Sequence, residues 1–403
     1  MTDRPKLAPM ITQRPEPTAP ALLRGYLALD DFRTCAAKRL PLPIFGYVDG
    51  GVETGASVRN TRTAYERHAF VPNVLRDVSE RSTRTSIFSQ EVSVPFGIAP
   101  MGFSALAAYD GDVVLAKAAH EFGSLAICSA ASLTPLERVA SEGHSSWFQC
   151  YVPGDDARIE ALIARLLKAG FSTLVVTADV PVSGNRENNA RNGFDAPFRL
   201  TPRLAWHFGS HPRWTLGTLA REVMKRGMPH LENMDAERGP PLFSKNLTRS
   251  TIGRDRLSWD NIAFIRRNWP GKLVLKGILS VDDAIHAEQL GVDAVIVSNH
   301  GGRQLDACVA PLDVLPEIRA AVGCNVFLDG GIRRGTDVIK ALALGADFVF
   351  LGRPFLFAAA TFGALGVTHA FRLLQQEISL SMALLGIERL EQLSADFLRS
   401  KRP

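Results

Sequence analysis

The sequence predicts an α/β protein of the (β/α)8 or TIM-barrel class, with an N-terminal helical extension and a long excursion after strand 4. Eight short apolar runs each end in polar residues or glycine. Because the runs are continuous rather than alternating, they indicate a parallel sheet covered on both faces. Helical patterns lie between the runs, so strand and helix alternate about eight times, as in this barrel. The runs span residues 96–100, 125–129, 147–151, 174–179, 273–277, 294–300, 326–330 and 348–353.

Three of the intervening helices have recognisable ends. Residues 159–167 repeat apolar side chains at helical spacing, and Gly170 is predicted to end that helix. Ser280 and Thr336 are predicted to cap the starts of two further helices. An open doubly wound sheet is the alternative fold. It fits less well because no G-x-G-x-x-G pattern follows the first strand.

The chain is predicted to fold as a single domain, with additions around and within the barrel. Residues 30–65 indicate helices and loops. The interval between Arg186 and Lys276 is longer than one strand-to-strand unit requires, which predicts the excursion. The predicted divisions of residues 1–403 are a flexible or subunit-contacting arm at 1–30, the barrel at 90–357, the excursion at 198–246 and C-terminal helices at 358–403.

Composition excludes several classes of protein. The chain is 46% hydrophobic and 22% charged, as in ordinary globular proteins, and its net charge of +5 is too small to indicate nucleic-acid binding. Five scattered cysteines without a C-x-x-C pair argue against disulfides and against a bound metal. They favour a reducing compartment, so a cytoplasmic location is predicted. No apolar stretch of membrane-spanning length is expected, and residues 1–20 lack the apolar centre of a signal peptide.

The run from Ser298 to Asp306, SNHGGRQLD, places a histidine and an arginine directly after a predicted strand. Strand ends of this kind carry the chemistry of an α/β barrel. His300 can accept a proton near neutral pH, and the fork of Arg303 can bind a carboxylate through two parallel hydrogen bonds. Together they suggest the removal of hydrogen from an organic acid. A polar loop with a structural histidine is the alternative, and the whole run makes it the weaker one.

Glycine–arginine turns end the last two predicted strands, at residues 329–335 and 352–353. Loops after strands seven and eight form the usual phosphate site of this barrel, and arginine balances phosphate charge. By themselves the turns would equally fit a sugar-phosphate isomerase. Lys276, at the end of the fifth strand, could form an imine or offset negative charge on a flavin.

These motifs, and the order in which they follow one another along the chain, resemble the signature of the FMN-dependent L-2-hydroxy-acid dehydrogenase and oxidase family. The resemblance extends from about Leu40 to the C-terminus, and the pattern is most similar to that of the mandelate-oxidising members. It implies FMN as the cofactor and oxidation of a 2-hydroxy acid to the 2-oxo acid. It also implies a homo-oligomer, commonly a tetramer.

The resemblance implies a role for individual residues. His300 would be the catalytic base, paired with Asp179. Tyr47 would bind the substrate, although the sequence around it departs from the aromatic-rich pattern that is usual at this position. The implied catalytic and substrate-binding residues are His300, Asp179, Tyr151, Tyr47, Arg186 and Arg303. The implied FMN contacts are Pro100, Met101, Gly102, Ser129, Gln149, Thr177, Lys276, Ser298, Asp329, Gly331, Arg333, Gly352 and Arg353.

Finer expectations concern the substrate and the electron acceptor. Ala131 stands where glycolate-oxidising relatives carry a tryptophan, which leaves room for a phenyl group and favours mandelate. Lactate or an aliphatic 2-hydroxy acid is the alternative. Gly102 and Gly302 stand where oxidases usually carry alanine, which favours a dehydrogenase over an oxygen-using oxidase. A lyase or isomerase acting through a Lys276 imine, and a flavin-binding scaffold without turnover, are the rival functions.

The excursion combines basic residues with tryptophans. Residues 198–230 carry six arginines and lysines against one glutamate, with Trp206 and Trp214 interleaved. This pattern suits an anionic membrane interface, and membrane quinone would then be a natural acceptor. We therefore expect peripheral attachment at the inner membrane. An active-site lid or a subunit contact is nearly as well supported by the same residues.

Overall fold

Eight parallel strands form a barrel, as predicted. In this computed structural model, residues 20–145, 147–194, 201–242, 244 and 254–400 are described. The strands follow the spatial order β1-β8-β7-β6-β5-β4-β3-β2, and a bridge from Ile98 to Ala126 joins the two ends. The strands are β1 Phe96–Ile98, β2 Ile127–Ser129, β3 Trp147–Cys150, β4 Thr173–Thr177, β5 Lys272–Ile278, β6 Ala294–Val297, β7 Asn325–Asp329 and β8 Phe348–Leu351.

A hairpin covers the N-terminal end of the barrel. Its strands, Thr85–Ile87 and Gln90–Val92, pair antiparallel. At its turn, the ring of Phe88 lies 5.4 Å from the ring of Trp147 and 5.6 Å from that of Phe327. Both partners belong to the aromatic and aliphatic cluster that fills the barrel interior. This end is therefore packed, and only the opposite end is available for a site.

Helices surround the barrel and extend it at both termini. The helices of the barrel repeats are Gly111–Glu121, Leu136–Gly143, Asp156–Ala169, Trp259–Asn268, Val281–Gln289, Pro311–Ala321, Gly335–Ala343 and Arg353–Leu385. The extension and the loops add Ala21–Leu23, Leu29–Arg39, Leu42–Asp49, Ala56–Glu66, Ser104–Ala107, Glu187–Asn192, Arg254–Arg256, Leu390–Gln392 and Ala395–Phe397. A further pair of strands, His68–Phe70 and Leu398–Ser400, joins the extension to the C-terminus.

Two of the three predicted helix ends are confirmed. Gly170 has φ of +87° at the end of its helix, a conformation that favours glycine. The Ser280 side chain accepts a hydrogen bond from the backbone N–H of Asp283, as an N-cap residue does.

The prediction that Thr336 caps its helix is wrong. The helix begins at Gly335, so Thr336 is already its second residue, and Arg334 occupies the cap position. The Asp337 carboxylate accepts from the backbone N–H groups of Arg333 and Arg334, at 2.9 and 3.1 Å. An aspartate inside the first turn therefore satisfies the free N–H groups that a threonine was expected to satisfy.

The two predicted terminal boundaries do not coincide with element ends. Within the arm at 1–30, residues 1–19 lie outside the described residues, whereas Ala21–Leu23 and the start of Leu29–Arg39 are helical. Helix Arg353–Leu385 begins immediately after β8 and continues through a kink at Phe362 and Gly363, so the boundary at 357/358 falls within it.

Helix Arg353–Leu385 also corrects the expectation about membrane spans. By length and composition it is apolar enough to cross a membrane, but 72% of its apolar window is buried inside the protein. Packing against the rest of the fold accounts for this apolar character.

The excursion has an inner and an outer side. Its described helical segments are Pro202–Gly209, Pro212–Trp214, Thr215–Ala220, which is a π-helix, and Arg221–Arg226. On the inner side, Trp214 is buried and its Nε1 donates to the Leu106 carbonyl oxygen at 2.7 Å. On the outer side, Trp206, Leu216 and Met224 are 73%, 68% and 78% exposed. Residues 198–200, 243, 245 and 246 of the predicted excursion, Arg199 among them, lie outside the described residues.

Candidate active site

A cavity of about 1030 Å³ opens at the C-terminal ends of the strands. It brings together most of the residues singled out from the sequence. Those that line it are Tyr47, Pro100, Met101, Gly102, Gln149, Tyr151, Thr177, Arg186, Lys276, His300, Arg303, Asp329, Gly331, Arg333, Gly352 and Arg353. Ser129, Asp179 and Ser298 lie behind this wall, where each contacts a residue that lines the cavity.

His300 and Asp179 form a pair at the ends of β6 and β4. The His300 Nδ1 lies 3.0 Å from Asp179 Oδ1. A carboxylate can only accept, so Nδ1 carries the proton and Nε2 is left as the basic nitrogen. Burial lowers the pKa of His300, although Asp179 opposes this effect. Burial raises the pKa of Asp179, but His300 and Lys276 outweigh it and hold that pKa below its usual value. The imidazole is therefore neutral and oriented, as a base requires.

The backbone at His300 is unusual. His300, Gly301 and Gly302 have φ values of +57°, +63° and +71°. A non-glycine residue in this region is strained, which is common at functional sites. A Cβ on Gly302 would lie 2.8 Å from the backbone nitrogen of Val58, so glycine is required there. The two glycines of the sequence motif thus make the turn that directs His300 toward Asp179.

Arg303 and Arg186 provide positive charge beside the base. Arg303 Nη1 donates to the carbonyl oxygens of Tyr47 and Gly50, at 2.6 and 3.2 Å. Arg186 Nε donates to the Arg303 carbonyl oxygen at 3.2 Å. Burial, together with the charge of Arg186, lowers the pKa of Arg303 to about 10. Among the described residues the hydrogen-bond partners of both guanidiniums are carbonyl and amide oxygens rather than carboxylates, so both can bind an anion.

The two predicted tyrosines lie at this cationic site. Tyr47 Oη donates to the Gly102 carbonyl oxygen at 3.3 Å, and its ring lies 4.7 Å from the Arg303 guanidinium. Burial raises the pKa of Tyr151, so its hydroxyl stays protonated and can donate. The structure thus brings Tyr47 to the cavity despite its atypical sequence context.

Lys276 is held as a charged group. Its Nζ lies 2.9 Å from Ser298 Oγ and 3.1 Å from Asp329 Oδ2. Burial lowers the pKa of Lys276, but the charges of Asp329 and Asp179 outweigh it and raise that pKa above its usual value. An imine-forming lysine needs a neutral amine, so this environment disfavours a Schiff-base role. A fixed ammonium instead suits the negative charge that a reduced flavin carries.

Two unpaired polar atoms in the wall are suited to a flavin nucleotide. Ser129 Oγ donates to Gln149 Oε1 at 2.9 Å, and Gln149 Nε2 is buried with no partner in the described residues. Asp329 Oδ1 is likewise buried without a partner there. A buried donor and a buried acceptor of this kind need a ligand or water. A polar ring edge and a polyol chain would satisfy them.

Two further arginines provide the charge for a phosphate. Arg353 donates to the carbonyl oxygens of Val48, Gly50 and Gly301, at 3.1, 2.8 and 2.8 Å. Burial, followed by the charges of Arg303 and Arg333, lowers the pKa of Arg353 to about 9. Burial, followed by the charge of Arg62, lowers the pKa of Arg333. Such clustered cations favour a bound anion, as expected where barrels bind phosphate.

Several other residues of the wall were not indicated by the sequence, and four of them come from outside the strand ends. Phe194 stacks on Tyr47 at 4.3 Å. Leu231, Met234 and Arg254 line the cavity from the excursion and its return to the barrel. No motif marks them, because their positions depend on how the excursion folds back over the strands. The excursion thus contributes to the cavity wall, and the lid hypothesis stays a prediction.

An eight-stranded parallel barrel whose cavity combines the His300–Asp179 pair with clustered arginines and Lys276 has the features expected of a flavin-dependent oxidoreductase. Residues 36–400 match the model of the FMN-dependent dehydrogenase family. A putative L-lactate dehydrogenase of Mycobacterium tuberculosis is 36% identical, over 96% of this chain and 93% of its own. An L-lactate oxidase of a Nostoc species is 38% identical, over 92% and 97%. The crystal structure of the monotopic membrane protein (S)-mandelate dehydrogenase superimposes with a TM-score of 0.83 and 34% identity, over 93% and 99%.

The chain belongs to the FMN-dependent dehydrogenase family. It is an oxidoreductase, its cofactor is FMN, and its substrate is a small 2-hydroxy acid. The lyase, isomerase and scaffold hypotheses are therefore wrong. The relatives act on lactate or mandelate and include both dehydrogenases and an oxidase, so they support the class of reaction and leave its substrate and acceptor open.

Proposed function

We propose that this enzyme oxidises an aromatic L-2-hydroxy acid of the mandelate type to its 2-oxo acid and passes the electrons to a membrane quinone. The observation that supports the reaction type is the His300–Asp179 pair beside Arg303 and Arg186, in the cavity where we propose that FMN binds. When bound, FMN would accept the two electrons that leave the substrate. The rest of the chemistry belongs to the side chains of the cavity wall.

Each side chain has one task in this proposal. The substrate carboxylate binds between Arg303 and Arg186, and the hydroxyls of Tyr47 and Tyr151 hydrogen-bond its oxygen atoms. His300 Nε2 takes the proton that leaves during oxidation. The Asp179 carboxylate stabilises the resulting imidazolium and keeps the ring oriented.

Small and apolar residues favour an aromatic side chain on the substrate. Ala131 is partly exposed in the cavity wall, and Leu231 and Met234 line the same cavity. The backbone of Gly102 lies close to the Ala131 side chain, since a Cβ on Gly102 would lie 2.8 Å from Ala131 Cβ. A methyl side chain at position 131 therefore leaves space for a ring in an apolar surrounding.

Dye-coupled turnover and anaerobic bleaching of the bound flavin test the substrate, and peroxide formation in air tests the acceptor. We expect kcat/KM for (S)-mandelate to exceed that for L-lactate by on the order of 10-fold or more, since burying a phenyl ring contributes about 1.5–3 kcal/mol. Ala131→Leu should lower the value for mandelate more than that for lactate. In air, peroxide should form much more slowly than a dye is reduced. A higher efficiency with lactate would contradict the aromatic substrate, and stoichiometric peroxide would contradict the quinone acceptor.

The outer side of the excursion supports attachment to a membrane surface. Trp206, Leu216 and Met224 are exposed there, with exposed basic residues such as Arg213 and Lys225 on the same segment. Apolar side chains beside basic ones suit an anionic interface. A structural neighbour is described as a monotopic membrane protein. We propose peripheral attachment at the cytoplasmic face, where a quinone is within reach.

Replacing the three exposed apolar side chains by serine should abolish vesicle binding while FMN stays bound. The triple variant is Trp206→Ser, Leu216→Ser and Met224→Ser, and flotation with phosphatidylglycerol-containing vesicles at low salt measures the binding. Each side chain contributes on the order of 1.5–3 kcal/mol when buried, so partitioning should fall by more than about 100-fold. Point substitutions are preferable to deletion because Trp214 is packed on the inner side.

A matched control removes the same number of exposed apolar residues elsewhere. Leu22, Leu75 and Leu384 are 63%, 101% and 68% exposed and lie outside the excursion. Their replacement by serine should leave vesicle binding unchanged. Equal loss in both triple variants, or no binding by the unmodified protein, would rule out the membrane role of the excursion and favour its role as a lid.

A further inference from the structure

Two loops from distant parts of the chain contribute apolar side chains to the cavity wall. The first, residues 130–135, follows β2 and carries Ala131, and we call it the β2 loop. The second, residues 229–242, is the return of the excursion and carries Leu231 and Met234, and we call it the return loop. Neither loop is part of a β-strand of the barrel, so contacts outside the sheet must fix the distance between them.

Asn233 of the return loop joins the two loops, and its side chain is fully buried. Its Oδ1 accepts from the backbone N–H of Leu136 at 2.9 Å, and its Nδ2 donates to the Thr134 carbonyl oxygen at 2.8 Å. Leu136 begins the helix Leu136–Gly143, whose own cap residue, Pro135, makes no side-chain hydrogen bond to it. A residue 97 positions later therefore satisfies the first free N–H of this helix.

Two further contacts hold the return loop in the same place. The backbone N–H of Glu232 donates to the Ser132 carbonyl oxygen of the β2 loop at 3.2 Å. From a helix of the barrel repeats, Arg165 Nη1 donates to the carbonyl oxygens of Glu232 and Asp235, both at 3.0 Å. All of these bonds end on backbone atoms, so they fix the course of the chain on both sides of the contact.

The carboxamide of Asn233 is suited to this contact because it supplies one acceptor and two donors on adjacent atoms. An aspartate could accept from Leu136 but could not donate to Thr134, and an alanine could do neither. A backbone N–H and a carbonyl oxygen would then be buried without partners, which is unfavourable. The two loops are expected to move apart until water reaches these groups.

We propose that Asn233 is a specificity-determining positioning residue, which holds Ala131 at a fixed distance from Leu231 and Met234 and so sets the width of the apolar part of the cavity. This inference rests on the proposed function, which assigns these apolar side chains to the ring of the substrate. A displaced wall weakens the contacts of a phenyl ring, whereas the small methyl group of lactate depends on them far less.

The test compares (S)-mandelate with L-lactate in the FMN-loaded enzyme. Asn233→Ala should lower the ratio of kcat/KM for mandelate to kcat/KM for lactate by roughly 10-fold, through lost burial of the ring. The loss should lie in KM for mandelate, while the rate of flavin reduction at saturating mandelate changes little. Calorimetric binding of benzoylformate, the 2-oxo product, should weaken by a similar factor without turnover.

Arg226→Met is the matched control, because it removes a different anchor of the excursion. The ion-pair partners of Arg226 are Asp110, at 3.0 Å, and Glu222, at 3.5 Å, and both lie outside the two loops. Its replacement should leave the ratio of mandelate to lactate equal to that of the wild type.

A double-mutant cycle separates this role from general support of the fold. In the variant Leu231→Ala, Met234→Ala, the wall through which Asn233 acts is already removed. Adding Asn233→Ala should then leave the ratio unchanged, since coupled residues are not additive. Arg165→Met gives a second route to the same displacement and should lower the ratio in the same direction. It replaces Asn233→Ala in the test if that variant is recovered without FMN.

Every other outcome overturns the inference. An unchanged ratio in Asn233→Ala, or an equal loss on both acids, excludes a role in specificity. A further fall of the ratio in the triple variant shows that Asn233 acts through other residues. Failure of the proposed function is distinguishable, because a wild-type ratio below one contradicts the aromatic preference, whereas the role of Asn233 depends only on how the ratio changes. If neither acid bleaches the flavin, both proposals fail.

Discussion

His300→Ala should reduce the rate of flavin reduction by on the order of 10²- to 10⁴-fold or more, while FMN remains bound. The reason is that His300 holds the free basic nitrogen of the His300–Asp179 pair, whereas the unpaired atoms that fit FMN belong to Gln149 and Asp329. Anaerobic stopped-flow absorbance with saturating hydroxy acid measures the rate, and the visible spectrum reports the bound flavin. A variant that reduces its flavin at close to the wild-type rate would remove His300 from the mechanism.

The pH dependence gives an independent check on His300. Only the neutral imidazole can accept a proton, and burial lowers its pKa below the usual value. The rate of flavin reduction should therefore be constant at neutral pH and fall only as the pH drops through the lowered pKa. Asp179→Asn removes the charge that favours the imidazolium, so it should lower the rate and shift this fall to still lower pH.

The double variant Arg333→Met, Arg353→Met should weaken FMN binding by roughly 10²- to 10⁴-fold, since each charge-assisted contact contributes about 1.5–3 kcal/mol. Both guanidiniums line the cavity, and burial lowers the pKa of each. Fluorescence titration of the apoprotein with FMN measures the dissociation constant. Circular dichroism and thermal melting without FMN establish that the variant is folded.

Arg334→Met is the matched control for this experiment. Arg334 is the next residue to Arg333, but it is exposed and forms an ion pair with Glu377 at 2.9 Å. Its replacement should leave FMN affinity within about 3-fold of the wild type, as is usual for exposed ion pairs. Equal weakening by both substitutions would show that the turn as a whole, rather than the charge of Arg333, holds the cofactor.

The barrel was predictable because its signals are local. Each strand is a short apolar run. Runs such as 294–297 are buried on both faces, so every position is apolar and the run is easy to recognise in the sequence. The start of the helix at Gly335 was misplaced because two residues near it can satisfy the same N–H groups. Propensity favours Thr336 as a cap, whereas the structure uses Asp337 from inside the helix.

The site was predictable where residues follow strands and not where long-range packing places them. His300, Lys276 and Asp329 lie at or near the carboxyl ends of three strands, so topology alone brings them to one rim. Arg254 reaches the same cavity only through the return of the excursion, which no local pattern specifies.

For the same reason the sequence of the excursion supported both a membrane contact and a lid. Its aromatic residues divide between a buried Trp214 and an exposed Trp206, and sequence spacing does not show which side each one faces.

The contacts of Arg353 have a consequence for the synthesis of the chain. Arg353 Nε donates to the carbonyl oxygen of Val48, a residue 305 positions earlier, at the end of the helix Leu42–Asp49. At ribosomal rates of about 5–20 residues per second, on the order of 15–60 s therefore pass between the synthesis of Val48 and that of Arg353. A nascent or prematurely ended chain that lacks Arg353 lacks this contact and one of the cations of the cavity wall, although Arg303 already contacts the carbonyl oxygens of Tyr47 and Gly50. We therefore expect a chain that ends before Arg353 to bind FMN more weakly than the full-length chain.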